Sequence, residues 1–333
     1  MRAAIRTGLL GYTFSFNPSH PSPKTPLQPN EILLQVKSSA INPVDYKLPK
    51  QLAGPIPGID VSGIVQQVGS DVTSLQVGDA VFGRAITAKG NLSGSLAQEA
   101  IASEAEVAKK ADYLTFEEGA ALGTAYLTSL QSLRDAGKVE KGSVVLVIGA
   151  SGGCGLAGMQ LALALGASRV VGICSGKNFE FVKSQTGASS SSTAVELVDY
   201  TDEGAMKKIC EENVGKFDCI YDTATGSGRG EDYASNSSIA NLLKQPTGQF
   251  VQINGGPSTW AKKVLGFEDK NRSLVVTAKE GKRDLETIAN LLEKEGFKPF
   301  LNVKKFDENS IIEGFQQLKE RRTKGKIVFT IEE

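Results

Sequence analysis

VLVIGASGGCGLAGMQLALALGA, residues 145–167, runs from apolar β-forming residues through a glycine cluster into Leu and Ala at helical spacing. A strand, a sharp corner and a helix are the expected products. The corner, Ala150-Ser151-Gly152-Gly153-Cys154-Gly155, matches GxGxxG with Ala in the place of the first glycine. Small residues there let the backbone turn tightly and approach a pyrophosphate, whose charge the N–H groups of a helix start can hold. These six residues are therefore expected to cradle the phosphates of a dinucleotide, provided that the surrounding chain alternates strand and helix.

It does. SVVLVIG and the helix after the corner are followed by RVVGIC, FEFVKSQTGA, VELVDY, EGAMKKICEENV, FDCIYDTA, SSIANLLKQ and GQFVQIN. Strands that are apolar throughout, separated by amphipathic helices, predict a parallel sheet covered on both faces, a doubly wound domain. The chain before Thr115 has a different texture. EILLQVKSSAINPVD, GIDVSGIVQQVGSDVTSLQVGDAVFG and GSLAQEAIAS alternate β-formers with Gly and Pro turns and read as short strands of a β-rich domain. Between the two, FEEGAALGTAYLTSLQSL reads as a helix with Thr115 as N-cap and Glu117 and Glu118 in its first turn. Beyond WAKKVLGFEDKNR, the strand SLVVTAK, helices around RDLETIANLLEKEG and SIIEGFQQLKERR, and the strand KIVFTI complete the chain.

At 333 residues the chain exceeds the usual size of one core, which points to two domains. Lys plus Arg and Asp plus Glu balance at 37 each, so no global field draws a polyanion, and nucleic acid is not an expected partner. Cys154, Cys174, Cys210 and Cys219 show no CxxC and no framework spacing, which fits a reducing compartment, cytoplasmic or organellar. The N-terminal apolar patch is broken by Gly, Thr and Ser and is not read as a signal peptide, and no apolar run reaches the ~20 residues of a membrane span. SSSST, residues 189–193, is read as a loop, and the charge runs KEGKRDLE and KERRTKGK as solvated helix faces and ends, Arg321 excepted.

About 20 residues past such a motif, an NAD-binding chain offers an acid to the ribose hydroxyls. This chain ends its second strand of the alternation at Cys174-Ser175-Gly176-Lys177-Asn178, with a hydroxyl and an ammonium but no carboxylate. A 2′-phosphate would be stabilised by Lys177, so NADPH is expected over NADH.

Ile41-Asn42-Pro43-Val44-Asp45, Gly58-Ile59-Asp60 with Gly63, Gly69 and Gly78-Asp79, and Gly123-Thr124-Ala125-Tyr126 join the glycine corner in a fixed order. Together they resemble the medium-chain dehydrogenase/reductase superfamily, specifically its zinc-free quinone oxidoreductase branch related to ζ-crystallin. NPVD and NFEFVKSQTGA look most like the plastid-envelope and mitochondrial quinone-oxidoreductase-like members. The resemblance spans essentially the whole chain. It implies an α/β fold: a GroES-like β-rich catalytic domain from residues 1–121 and 268–333, and a Rossmann NADPH-binding domain from residues 122–267. It also implies homodimers joined edge to edge, with SLVVTAK a candidate interface.

Zinc alcohol dehydrogenases of the superfamily use a GHE histidine and cysteines. Here Gly58-Ile59-Asp60 occupies the GHE position, no Cys precedes Cys154, and the single histidine, His20, sits in a Pro-rich loop, so no metal site is expected. Without a Lewis acid a simple alcohol is a poor substrate, whereas a quinone or α,β-unsaturated carbonyl accepts hydride readily and the cofactor carries the chemistry. By resemblance, Asn42 and Asp45 lie beside the nicotinamide and Thr124 faces its amide. Tyr46 and Lys47 are candidate donors to a developing enolate oxygen. Ser175, Lys177, Tyr200 and Arg321 are the implied contacts of the 2′-phosphate. Thr223, Asn254 and Gly255 occupy loops after strands, where doubly wound sheets bind ligands. With His20 alone, hydrolytic triads drop out. Cys154 stands where relatives usually carry Val. Two other readings stay open: an enoyl-thioester reductase, and a non-enzymatic cofactor-binding protein with a structural or RNA-binding role.

Overall fold

The chain divides into two units, the first made of Met1–Leu127, Lys279–Ala289 and Pro299–Glu333, the second of Thr128–Ala278 and Asn290–Lys298. The computed structural model describes residues 1–7, 13–187, 194–225, 233, 235–267, 270–275, 281–321 and 323–331.

The first unit opens with an antiparallel pair, β1 (Ala3–Thr7) and β2 (Thr13–Asn17). Then come β3 (Glu31–Ile41), β4 (Asp60–Val68), β5 (Ala80–Arg84), β6 (Glu99–Ser103) and β7 (Val107–Lys109). The second unit supplies β8 (Val144–Ile148), β9 (Arg169–Cys174), β10 (Ala194–Asp199), β11 (Cys219–Asp222), β12 (Gln249–Gln252) and β13 (Arg272–Leu274). The chain then returns to the first unit with β14 (Leu301–Lys305) and β15 (Lys326–Thr330).

In the first unit the sheet order is β14-β15-β3-β4-β5-β7, with β6 also paired to β3. β15 runs antiparallel to β3 with Ile327 opposite Ile41, so the C-terminal segment completes the sheet begun near the N-terminus. Periodicity alone could not decide that return. The core beneath contains Ile32, Leu34, Val61, Phe315 and Phe329, with Phe14 stacked on Phe315 at 3.7 Å between centroids.

The second unit is the doubly wound domain that the alternation predicts. Its order is β10-β9-β8-β11-β12-β13, every neighbouring pair parallel. The progression of strand order reverses between β8 and β11, the switch point at which such sheets bind ligands. The helix Gly153–Ala164 after β8 is buried almost all round, from Gly155 to Leu163, as its uniformly apolar sequence requires.

Three local expectations need correction. FEEGAALGTAYLTSLQSL is not one helix: it forms Phe116–Ala121 and Thr124–Leu130, followed by a π-helical turn Gln131–Ala136. The capping box is present, Glu118 N donating to Thr115 Oγ1 at 3.1 Å and Thr115 N to Glu118 Oε2 at 2.9 Å. The break falls at Gly123, where an added Cβ would lie 2.5 Å from Asp60 Oδ1. In SSIANLLKQ only Ser237–Ala240 is helical, because Phe217 N donates to Leu242 O and Lys244 N to Phe217 O, and these bonds replace further helix. β14, half-exposed and polar, carried no sequence signal and forms by pairing parallel to β15. Among the described residues no helix is long and apolar enough to cross a membrane. The SSSST loop lies outside the described residues, as does SLVVTAK beyond Val275.

Candidate cofactor and active site

At the corner, Gly149 N and Ala150 N both donate to Ile173 O, at 2.9 and 3.0 Å, which ties the end of β8 to β9. Gly152 is the N-cap, no side chain caps the helix, and the first intrahelical bond is Leu156 N to Gly152 O at 2.8 Å. A Cβ on Gly155 would overlap the Gly149 carbonyl and crowd Ala150 Cα at 3.0 Å, so glycine is what lets the helix start so close to the strand. A Cβ on Gly152 would meet nothing nearer than Gly149 O at 3.5 Å. The side of the corner at Gly152 is therefore open where the backbone faces outward, and with Gly153 and Cys154 at the helix start it fits a pyrophosphate.

Thr223 follows β11 across the switch point and donates through N and Oγ1 to Ile148 O, at 3.0 and 2.7 Å. Ser151 Oγ accepts from Asn178 Nδ2 at 3.0 Å, which joins the corner to the turn after β9. That turn carries Ser175 and Lys177, and Tyr200 N reaches Cys174 O at 3.3 Å, so Ser175, Lys177 and the exposed Tyr200 gather at one end of β9 and β10. Asn254 O accepts from Gln252 Nε2 at 3.0 Å in the loop after β12, which also holds Gly255. The structure adds a residue the sequence reading passed over. Asp199, opposite Cys174 in the β9–β10 register, reaches the Gly176 backbone and accepts from Thr201 N and Oγ1. Those hydrogen bonds, Thr201 N–H first, hold its carboxyl below the usual range. A carboxylate thus stands against Gly176 in the turn after β9, contributed by the neighbouring strand.

In the first unit, Asn42, Asp60, Thr124 and Lys326 form one network. Asp60 Oδ1 accepts from Thr124 N and Oγ1 at 2.7 and 2.5 Å, and Oδ2 accepts from Asn42 Nδ2 at 2.9 Å and Lys326 Nζ at 3.0 Å. Lys326 also donates to Asn42 Oδ1 at 2.5 Å and to Ile41 O at 3.3 Å. Asn42 and Thr124, expected at the nicotinamide, are brought together here. Asp60 and Lys326, which join them, were not foreseen as site residues. Lys326 was read as the end of a solvated charge run, yet it is 5% exposed, because β15 sets it beside the end of β3 and against β4. The available signal was a lysine opening an apolar strand, visible only once that strand's partner is known.

Asp45 belongs to the helix Pro43–Lys47 and is wholly buried, its Oδ2 accepting from Asn42 N at 2.7 Å and its Oδ1 from Gly58 N at 3.1 Å. Each of its oxygens takes one backbone N–H, so Asp45 ties the start of this helix to the segment at Gly58. Arg6, also buried, donates to the carbonyls of Asp45, Ala53, Gly54 and Ile56 and fixes this helix against the following loop. Burial pushes the Asp45 carboxyl up to about 7, with the Asn42 amide opposing and Asp60 adding to the rise. A folded value above the unfolded ~3.9 means the folded state holds the proton more tightly. The associated stability is complete below about pH 4 and lost as pH rises through about 7. Urea unfolding should therefore show a decline on the order of 3 kcal/mol from pH 4 to pH 8, and Asp45→Asn should flatten that slope, lowering stability at pH 4, where the unmodified carboxyl is protonated in the folded state. An unchanged slope would refute the assignment.

Tyr46 is half-buried and Lys47 exposed. The atoms packed around Lys47 lower its ammonium, and the Arg321 cation lowers it further; Tyr46 is raised by burial, with Arg321 opposing. Arg321 sits at the end of the helix Glu308–Lys319 with φ +56°, and its Nη1 is buried with no hydrogen-bond partner among the described residues. Arg321 thus neighbours Tyr46 and Lys47 in the first unit, whereas Ser175, Lys177 and Tyr200 belong to the second.

A dinucleotide cradle at the switch point of one unit and a polar, ion-paired cluster in a β-rich other unit define a nicotinamide-dependent oxidoreductase. Residues 28–112 match the family described as alcohol dehydrogenase GroES-like domain, and residues 193–329 that described as zinc-binding dehydrogenase. The chain is 32% identical over 315 residues to the 2-methylene-furan-3-one reductase of Solanum lycopersicum, covering 91% of this chain and 72% of that protein. It is also 32% identical over 292 residues to the chloroplast envelope quinone oxidoreductase homolog of Arabidopsis thaliana, covering 83% and 81%. The quinone oxidoreductase of Coxiella burnetii shares the fold with a TM-score of 0.77 at 23% identity, over 100% of this chain and 99% of that one. The chain belongs to the medium-chain dehydrogenase/reductase superfamily, among its quinone-oxidoreductase-like members. Among the described residues no group of three or more His, Cys, Asp or Glu is gathered that could hold a metal.

Proposed function

We propose that this chain is an NADPH-dependent, zinc-independent reductase of quinones and α,β-unsaturated carbonyls. The observation that carries the reading is the state of Asp60, at the position where zinc relatives place their GHE motif. Its two oxygens already take four donors, one of them the Lys326 ammonium. The Asp60 carboxylate is thus already paired with a cation of the protein itself, and Ile59, an apolar residue, stands where those relatives have the histidine, so in this reading the acceptor supplies its own activation through conjugation. Both named relatives fit, a quinone and a methylene ketone being conjugated acceptors.

A nicotinamide cofactor bound to this chain would supply a hydride, a proton with its electron pair, to the quinone or to the β-carbon of the enone. The corner at Ala150, Ser151, Gly152, Gly153, Cys154 and Gly155 would hold its phosphates, with Thr223, Asn254 and Gly255 in the loops after β11 and β12. Asn42 and Thr124 position the nicotinamide. Tyr46 and Lys47 donate to the oxygen on which charge develops; solvent restores the proton. Ser175, Lys177, Tyr200 and Arg321 take the 2′-phosphate.

Protein fluorescence titrated with NADPH and NADH, followed by NADPH oxidation against quinones, short enals and enoyl thioesters, tests the reading. Binding without turnover of any quinone or enal would sink it. Lys177→Ala should lower the NADPH-to-NADH ratio of kcat/KM about 10-fold, the loss of one charge-assisted contact. Asp199→Asn should raise it a few-fold by removing a negative charge beside the phosphate. If neither ratio moves, the turn after β9 does not select the cofactor.

A further inference from the structure

The network around Asp60 has a polarity, and it is set from the buried side. Asp60 is 0% and Lys326 5% exposed, so both charges depend on each other and on the donors around them. An ammonium has three protons and no acceptor, and all three on Lys326 are placed, on Asn42 Oδ1, Asp60 Oδ2 and Ile41 O. The Asn42 carboxamide is locked in turn: its oxygen faces the ammonium and its nitrogen faces the carboxylate, so a flip would reverse both contacts. Thr124 is the partly exposed member. Its hydroxyl has one proton, which points at Asp60 Oδ1, 2.5 Å away. An ionised carboxylate cannot return a proton, so Thr124 Oγ1 has only lone pairs left to offer.

We infer that Asp60, paired with Lys326, is a positioning residue that makes the Thr124 hydroxyl an obligate hydrogen-bond acceptor, and that this acceptor orients the nicotinamide by its carboxamide NH2. The inference rests on the proposed reading of Thr124 as a nicotinamide contact. A carboxamide has a donor end and an acceptor end. A freely rotating hydroxyl accepts either end, whereas one whose proton is committed to Asp60 takes the NH2 and rejects the oxygen. The rotation of the carboxamide about its bond to the ring is then chosen by a carboxylate that touches neither cofactor nor substrate. Gly123 is part of the device, since any side chain there would displace Asp60 Oδ1.

The test uses the full chain and two oxidised cofactors, the natural dinucleotide and its 3-acetylpyridine analogue, in which a methyl group replaces the NH2. Dissociation constants come from calorimetry, so no turnover is needed. The unmodified protein should bind the carboxamide form about 10-fold more tightly, the value of one hydrogen bond. In Asp60→Leu/Lys326→Met, which removes both charges together, the ratio should fall to about 1–3, because the Thr124 proton is released to face the acetyl oxygen. Asp60→Val/Lys326→Met, which likewise leaves the Thr124 hydroxyl without its acceptor at position 60, is the second variant should the first fail to fold; circular dichroism reports folding, and the same fall is expected. Thr124→Val should match the double variants and Thr124→Ser should keep the preference. A ratio unchanged in a folded double variant, or near 1 in the unmodified protein, would overturn the inference. If the unmodified protein shows the preference but reduces no quinone or enone, the proposed reaction fails and the inference survives. Turnover of quinones with identical ratios in all proteins would give the reverse result.

Discussion

Gly155→Ala is expected to raise the dissociation constant for the nicotinamide cofactor at least about 100-fold, equivalent to roughly 2.7 kcal/mol, and to destabilise the second unit by about 1–3 kcal/mol. The added Cβ would overlap the Gly149 carbonyl and sit 2.6 Å from its carbon and 3.0 Å from Ala150 Cα. All three obstacles are backbone, held by the hydrogen bonds of Gly149 and Ala150 to Ile173 O. The strand cannot yield without breaking its tie to β9, so the helix start must move outward and carry its amides away from the phosphates. Gly152→Ala is the control, since its Cβ would meet only Gly149 O at 3.5 Å. It should leave folding intact and weaken cofactor binding alone. Calorimetric titration with urea unfolding separates the two effects, and Gly155→Ala binding as well as the unmodified protein would contradict the close approach described here.

Lys326→Met should have the largest effect on stability, a loss of about 3–5 kcal/mol. It leaves Asp60 fully buried with no cation, and Asn42 Oδ1 without its ammonium donor. Replacing both charges, as in Asp60→Leu/Lys326→Met, should recover much of that loss, because a buried pair pays desolvation twice and hydrophobic packing does not. Urea midpoints of the single and double variants measure the coupling directly. If the single substitution costs under about 1 kcal/mol, Lys326 behaves as a surface lysine and the network has no energetic weight.

The two expectations differ in how far they were legible. The corner at residues 150–155 is local: strand, glycines and helix are consecutive, so spacing alone announced a phosphate cradle, and the doubly wound sheet followed from the alternation around it. The Asp60 network was not legible, because its members stand at 42, 60, 124 and 326 and meet only through the pairing of β15 with β3 and of β3 with β4. Lys326 read as solvent-facing in a run of charges for the same reason. Asp199 was missed because a search along the chain after β9 cannot see the adjacent strand. The single helix expected across Gly123 failed because helical spacing says nothing about a carboxylate on another strand that takes the Thr124 N–H and hydroxyl.

The sequence by itself determined the second unit's architecture, the glycine corner between β8 and its helix and the capped entry at Thr115, because each depends on neighbours within a few turns of chain. Only the tertiary structure decided that Asp45 is committed to backbone amides, that Arg321 attends Tyr46 and Lys47, and that Asp60 and Lys326 set the direction of the Thr124 proton. The first and the last are properties of charges brought together in a dry interior, where strength and sign depend on which distant groups arrive and how completely water is excluded.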